Sequence, residues 1–276
     1  YPKKGETLKF TKVEYQLPCP FFIVADMETI LEPIQTVHND PSKTGTNVIG
    51  IHRPCSAAYY IVSTDENYYQ PPRIFRGSEC VVNFLDSLMD DIANLKQILS
   101  RPLELNLNDS EEDEFSAATC CHICKGLVDP DDIFVRDHDH LTGKFRGAAH
   151  QSCNLNYRIK INRYKVPVFF HNLSGYDSHL IMSAVKPKKH GKITCIPKTT
   201  ERYTAFTIGS AVFKDSYSFM SQSLDKLVKN LSADQLLQTR KHIEQMTANP
   251  ESCLIEFVPT TTVENNEELE VSNADV

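Results

Sequence analysis

The sequence has no apolar run long enough to cross a bilayer, and nothing in its first residues reads as a signal peptide, so no membrane partner is expected. It also lacks an excess of positive charge. With 29 basic and 36 acidic residues the net charge is -7, so any contact with nucleic acid has to be local. A disulfide framework is missing too: the nine cysteines are odd in number and pair tightly at only one place, which points to a reducing intracellular compartment, nucleus or cytoplasm. No initiating methionine is present. The chain starts at Tyr1 and reads as a fragment or processed product. What is present is 276 residues, 41% of them hydrophobic, enough for one or two domains with a sizeable core.

The tight pairing lies between residues 121 and 154. Cys121 and Cys124 form a C-x-x-C pair, and His150 and Cys153 an H-x-x-C pair. Two such pairs supply the four ligands of a tetrahedral structural zinc site. Cys120 is an alternative to Cys121. Between the pairs runs Asp137-His138-Asp139-His140. On a strand, His138 and His140 share one face and Asp137 and Asp139 the other. Lys144 and Arg146 suit phosphate contacts, and Asn154 falls at or near the start of a helix pinned by the metal.

Around this unit runs a second pattern. Residues 1–18 suggest a lead-in strand, and Phe21–Ala25 a buried strand ending in Asp26-Met27-Glu28, whose two carboxylates point the same way. Residues 32–55 are polar and turn-rich, and His52 and Cys55 read as loop residues. Strands follow at Ala57–Ser63 and Ile74–Gly77. A helix capped by Ser78 runs to about Ser100 on the stripe Val81, Leu85, Leu88, Met89, Ile92, Leu95, Leu99. Residues 104–119 read as a mobile acidic linker. Beyond the Cys/His unit, whose tail to Lys165 is basic, Val166–Phe170 is a strand leading into His171-Asn172-Leu173-Ser174-Gly175-Tyr176-Asp177 and a helix near Ser178. Asp177 thus stands at the carboxyl end of the sheet, where such folds place their sites. Strands at Ile193–Ile196, Tyr203–Ile208 and Ala211–Tyr217, a helix capped by Ser232 and Gln235, and a disordered acidic tail from Glu251 complete the reading.

Two resemblances follow from these residues. The C-x-x-C pair, the D-H-D-H run, the G-x-x-R-G turn and the closing pair followed by Asn resemble HNH nucleases of the recombination endonuclease VII type. That resemblance implies structural zinc on Cys121, Cys124, His150 and Cys153, a catalytic metal on Asp137 and Asn154, and His138 as general base. The D-x-E at Asp26 and Glu28, followed by N-x-x-x-Y-D at Asn172 to Asp177, resembles the first two exonuclease motifs of family B DNA polymerases. The wording F-F-H-N-L-S-G-Y-D-S-H-L-I-M with an insert upstream is similar to the protein-primed enzymes of Maverick/Polinton transposons, viruses and organellar plasmids. The likeness covers roughly residues 15–232. It implies Asp26, Glu28 and Asp177 as catalytic ligands of two magnesium or manganese ions. It also implies that His171, Asn172, Tyr176 and Ser216 hold a single-stranded 3′ end. Tyr217 stands where that family has Leu.

The expected architecture is therefore an α/β mixed sheet: an RNase H-like exonuclease domain (15–103 and 161–248), interrupted by an acidic linker (104–119) and a ββα-metal zinc module (120–160), with a tail at 249–276. The third exonuclease motif, Y-x-x-x-D, has no instance after Asp177, and the polymerase region is missing. Three readings remain: a fragment of a DNA-directed DNA polymerase carrying an incomplete proofreading domain and partnered by the rest of that chain; an HNH endonuclease acting on DNA, including branched duplex; and a catalytically dead, zinc-stabilised remnant that binds nucleic acid.

Overall fold

A computed structural model describes residues 3, 12–33, 50–127, 133–199, 202–237, 239–241, 244 and 255–256. The apolar run at Phe21 seeds a 13-residue strand, β1 (Phe21–Pro33), which pairs antiparallel with the 14-residue β2 (Gly50–Ser63). β3 (Arg73–Arg76) continues the meander against β2. On the other side of β1, β6 (Val166–Phe170) lies parallel to it, and β9 (Ala211–Asp215) lies parallel to β6. β8 (Tyr203–Ile208) and β7 (Ile193–Pro197) complete that edge antiparallel, and the short β10 (Ile255–Glu256) pairs with β3. The sheet order is β10-β3-β2-β1-β6-β9-β8-β7. A separate two-stranded sheet holds β4 (Phe134–His138) and β5 (Phe145–His150). The result is a mixed α/β architecture with a mainly mixed sheet and a small Cys/His unit.

Helix α1 (Cys80–Leu99) covers one face of the large sheet because its apolar residues recur at helical spacing. Phe84, Leu85 and Leu88 are wholly buried, and Phe84 meets Tyr59, Phe75 and Phe170 edge-on. β1 alternates accordingly. Phe21, Ile23 and Met27 are buried, whereas Val24, Asp26 and Glu28 are exposed on the opposite face. Pro167 sits in a central strand, yet pairing of β6 with β1 begins only at Val168, after the residue that has no N–H.

Several expectations need correction. Val13–Gln16 is a 3-10 turn rather than a lead-in strand. β2 starts at Gly50, so His52 and Cys55 are strand residues. Their neighbours look loop-like because the outer half of the β1/β2 ribbon is exposed on both faces, with Arg53 ion-paired to Glu32 across it. Glu79 rather than Ser78 precedes α1, and no side chain caps that helix. β9 ends at Asp215, and Ser216–Ser218 form a 3-10 turn.

The acidic stretch expected to be a mobile linker holds a helix, α2 (Asp109–Ala117), closed by a capping box between Asn108 and Glu111. Arg136 of β4 pairs with Glu112 and lies 4.0 Å from the Phe115 ring centroid, which anchors α2 to the Cys/His unit. The capping box expected at Ser232 and Gln235 is only half formed: Ser232 N–H donates to Gln235 Oε1 at 2.9 Å, but the element there is a 3-10 turn, Asp234–Leu236, preceded by Ala233 and without a side-chain cap. Most of the residues expected to be helical beyond it, and the tail apart from residues 255–256, lie outside the described residues.

Candidate metal sites

Cys121, Cys124, His150 and Cys153 converge, their donor atoms all within 4.8 Å of one another. The first pair sits on a turn closed by Cys121 N–H to the Gly126 carbonyl at 2.8 Å, with the Gly126 N–H reaching the Cys124 Sγ at 3.4 Å. The second pair is set by the end of β5 and by α3 (Gln151–Asn156). His150 Nε2 is 3.1 Å from the Leu127 carbonyl, to which it donates, so Nδ1 is the basic nitrogen. That Nδ1 faces the Cys124 and Cys153 sulfurs at 3.4 and 3.8 Å.

Three sulfurs and one imidazole nitrogen with the ring fixed from behind suit a tetrahedral zinc ion. Burial pushes the Cys121 thiol up, but the N–H groups of Cys124, His150 and Ile123 outweigh it and bring it down to about 7. Cys153 rises to about 12 through burial and the crowding of the other sulfurs. Cys120 is exposed and pairs by backbone with Leu127, which leaves the site to Cys121.

The D-H-D-H run is more constrained than its residue types suggest. Asp137 is 1% exposed. Arg146 clamps it with Nε and Nη2 at 2.8 and 2.9 Å, and His122 Nε2 lies 2.9 Å from its Oδ2. These bonds outweigh burial and hold its carboxyl below the usual range. Both oxygens are therefore engaged by protein donors, and Asn154 lies in α3. His138 Nε2 lies 3.2 Å from the Leu103 carbonyl, and its ring is 5.0 Å from that of His140. The loop beyond, Leu141 to Lys144, is pinned to the segment after α1 by Leu103 N–H to the His140 carbonyl and Asn106 N–H to the Gly143 carbonyl, each 2.9 Å.

In the large sheet, Asp26 and Glu28 lie midway along β1, which runs on to Pro33 rather than ending at them as expected; they sit on the face opposite α1, just beyond the residues that pair with β6. Asp177 opens α4 (Asp177–Ala184), after the turn that follows β6. It is 3% exposed, and its Oδ1 has no hydrogen-bond partner, nor has the buried Ser178 Oγ. Burial, then Asp26, Asp215 and Glu28, push its carboxyl up to about 7. Asp26, though its side chain reaches solvent, is likewise raised, first by partial desolvation and then by Glu28, with the Met27 N–H and His171 opposing. A buried acid that loses a hydrogen-bond partner and faces other acids is a place where a cation relieves repulsion. Their oxygens are looser than the Cys/His set, which alone among the described residues has three or more donors within 4.8 Å.

Of the residues expected to grip a strand end, His171 and Ser216 bind each other, while Tyr176 is held by the outer ribbon. Tyr176 Oη lies 2.7 Å from His52 Nδ1 and also meets Thr29 Oγ1. His171 Nε2 donates to the Gln222 carbonyl at 2.7 Å, and Ser216 Oγ is 3.0 Å from both His171 Nδ1 and the Phe170 carbonyl. Asn172 is exposed in a left-handed conformation with φ 72°. Asp215 was not singled out from sequence. Its carboxylate accepts from the N–H groups of Asn172, Ser174 and Tyr217 at 2.9 to 3.0 Å, shaping the turn that presents Asp177. Its place at the end of β9 was the available signal.

Among the described residues no helix is long and apolar enough to cross a membrane. No protein-family model matches the chain, and no curated protein matches it.

Proposed function

We propose that this chain is the proofreading portion of a family B DNA polymerase, a metal-dependent nuclease acting on a single-stranded 3′ end. One observation carries the reading: Asp177, buried with a partnerless oxygen, lies close enough to Asp26 and Glu28 for their charges to raise its carboxyl. The sheet supports it. A β3-β2-β1 antiparallel meander followed by β6 and β9 parallel to β1 is the order expected of an RNase H-like exonuclease.

In this reading Asp26, Glu28 and Asp177 would hold magnesium or manganese, which would supply a lowered water pKa and charge stabilisation for phosphodiester hydrolysis. Asp177, its carboxyl raised by burial and the neighbouring acids, would hold a proton in the absence of a cation. Asp215 positions its turn. Phe169, which meets Phe22 and Phe219 edge-on at 6.0 and 6.1 Å, offers ring surface to the bases beside the site. Structural zinc holds the inserted unit.

A second reading, an HNH endonuclease, is favoured by His138. With Nε2 donating to the Leu103 carbonyl, Nδ1 is left as the basic nitrogen, as a general base requires. The engagement of Asp137 by Arg146 and His122 weighs against it. The test is cleavage of a 5′-labelled single strand and of a branched duplex with magnesium or manganese. Stepwise 3′ shortening that Asp26→Ala abolishes and His138→Ala spares supports the proposal. Internal cuts lost only in His138→Ala support the second reading. No cleavage of either substrate leaves a zinc-stabilised remnant.

A further inference from the structure

The basic tail of the Cys/His unit does not disperse into solvent. Arg158, Lys160, Arg163 and Lys165 converge with Lys214 of β9 on one groove of about 410 Å³, whose single acidic residue among the described residues is Glu14. Lys160 is 3.4 Å from that Glu14, so among the described residues the other four cations have no carboxylate in the groove. Its floor is apolar: Pro18, Pro20, Pro167 and Val212 line it, and Tyr15, 72% exposed, stands in its wall. An adjoining cleft of about 250 Å³ shares Leu17, Pro18, Pro20, Arg158 and Ile159 with it and adds Lys144, together with Asp139 and the Arg146 that is ion-paired to Asp137 and Asp139. A chain with a net charge of -7 thus places five of its 29 basic side chains around one concavity.

The placement of the groove indicates its ligand. Pro167, Val212 and Lys214 lie on the sheet face opposite α1, the face that carries Asp26 and Glu28. From Pro167 in the groove to His171, one residue past the end of β6 and near enough to Asp26 to lower its carboxyl, is four steps of chain, roughly 13 Å at strand rise. The rings of Phe22, Phe169 and Phe219 lie between them. Cations that track a backbone, an exposed ring, and an aromatic path to the acidic cluster are what a single strand of nucleic acid requires. A bilayer is flat, whereas this surface is concave. A duplex would not use the aromatic path.

We propose that Arg158, Arg163, Lys165 and Lys214 bind the sugar–phosphate backbone of single-stranded nucleic acid and lead it to the carboxylate cluster. The inference rests on the exonuclease reading for its direction, but its test does not depend on cleavage. Binding of a fluorescein-labelled oligothymidylate is measured by polarisation at several salt concentrations, without added magnesium, on the zinc-loaded chain.

Phosphate contacts on a single strand contribute about 0.7 each to the slope of log affinity against log salt, so the quadruple Gln variant is expected to lose about 2.8. The paired variants Arg158→Gln/Arg163→Gln and Lys165→Gln/Lys214→Gln are each expected to lose about 1.4, and Arg158→Lys/Arg163→Lys to keep the slope. These side chains are exposed, and unchanged zinc content checks the fold. An unchanged slope in both paired Gln variants overturns the proposal. So does wild-type binding to polyglutamate or to phosphatidylserine vesicles as tight as to the oligonucleotide. Binding that behaves as expected in a chain that cleaves nothing keeps the groove and removes the exonuclease reading.

Discussion

Replacing Arg146 with Met distinguishes a structural Asp137 from a catalytic one. The variant removes two hydrogen bonds of 2.8 and 2.9 Å from a carboxylate that is 1% exposed. Breaking a buried ion pair from one side costs about 3–5 kcal/mol. The low end applies, because His122 still reaches Oδ2 at 2.9 Å and the Arg146 side chain is 21% exposed. A loss of about 3 kcal/mol lowers the local folding equilibrium by roughly 150-fold. The assay is urea-induced release of zinc, which reports opening of the Cys/His unit.

The double variant Asp137→Leu/Arg146→Met removes the stranded charge and is expected to recover most of the loss. The pH sign agrees: Asp137 has a depressed folded pKa, so its stabilising effect is present above the unfolded carboxyl value and disappears as pH falls through the folded one. That acid dependence is expected to shrink in the Arg146 variant. A loss under about 0.5 kcal/mol, or a double variant no better than the single, would refute the reasoning.

Cys124→Ala is expected to abolish stoichiometric zinc binding while Cys120→Ala leaves it intact, as metal analysis of the purified variants would show. Leu88→Ala, at a wholly buried position of α1, should cost about 2–5 kcal/mol in equilibrium unfolding, with a value under 1 arguing against the packing described. Gly143 has φ +72°, and a Cβ there would stand 2.6 Å from the Glu104 carbonyl oxygen. Gly143→Ala should therefore undock the loop from residues 103–106 and speed proteolysis there, with no change in rate contradicting the packing.

The frame was legible where apolar pattern and element coincide. The runs at Phe21 and Val166 became central strands, and the stripe from Val81 to Leu95 became the buried face of α1. Less legible were elements made by long-range pairing. The first half of β2 is polar because it lies in an exposed ribbon, so its strand character comes from partners in β1. α2 was hidden by its acidity, although Asn108, Glu111 and Phe115 carried a capping box and an anchor. Of the metal residues, the Cys/His set followed from spacing alone. The pairing of Asp137 with Arg146 did not, because it depends on the register of β4 against β5. Asp215 escaped notice because its role is to accept three backbone N–H groups, which leaves no sequence spacing.

The central claim, that Asp26, Glu28 and Asp177 form a divalent-cation site, is tested most directly by calorimetric titration of manganese into the zinc-loaded chain between pH 6 and 8. A carboxyl raised to about 7 competes with the cation for its proton. Binding is therefore expected to tighten as pH rises through 7, to release protons, and to be lost in Asp177→Asn and Asp26→Asn but kept in His138→Ala. Manganese binding that survives Asp177→Asn and Asp26→Asn, or that disappears only when His138 is replaced, would contradict the account.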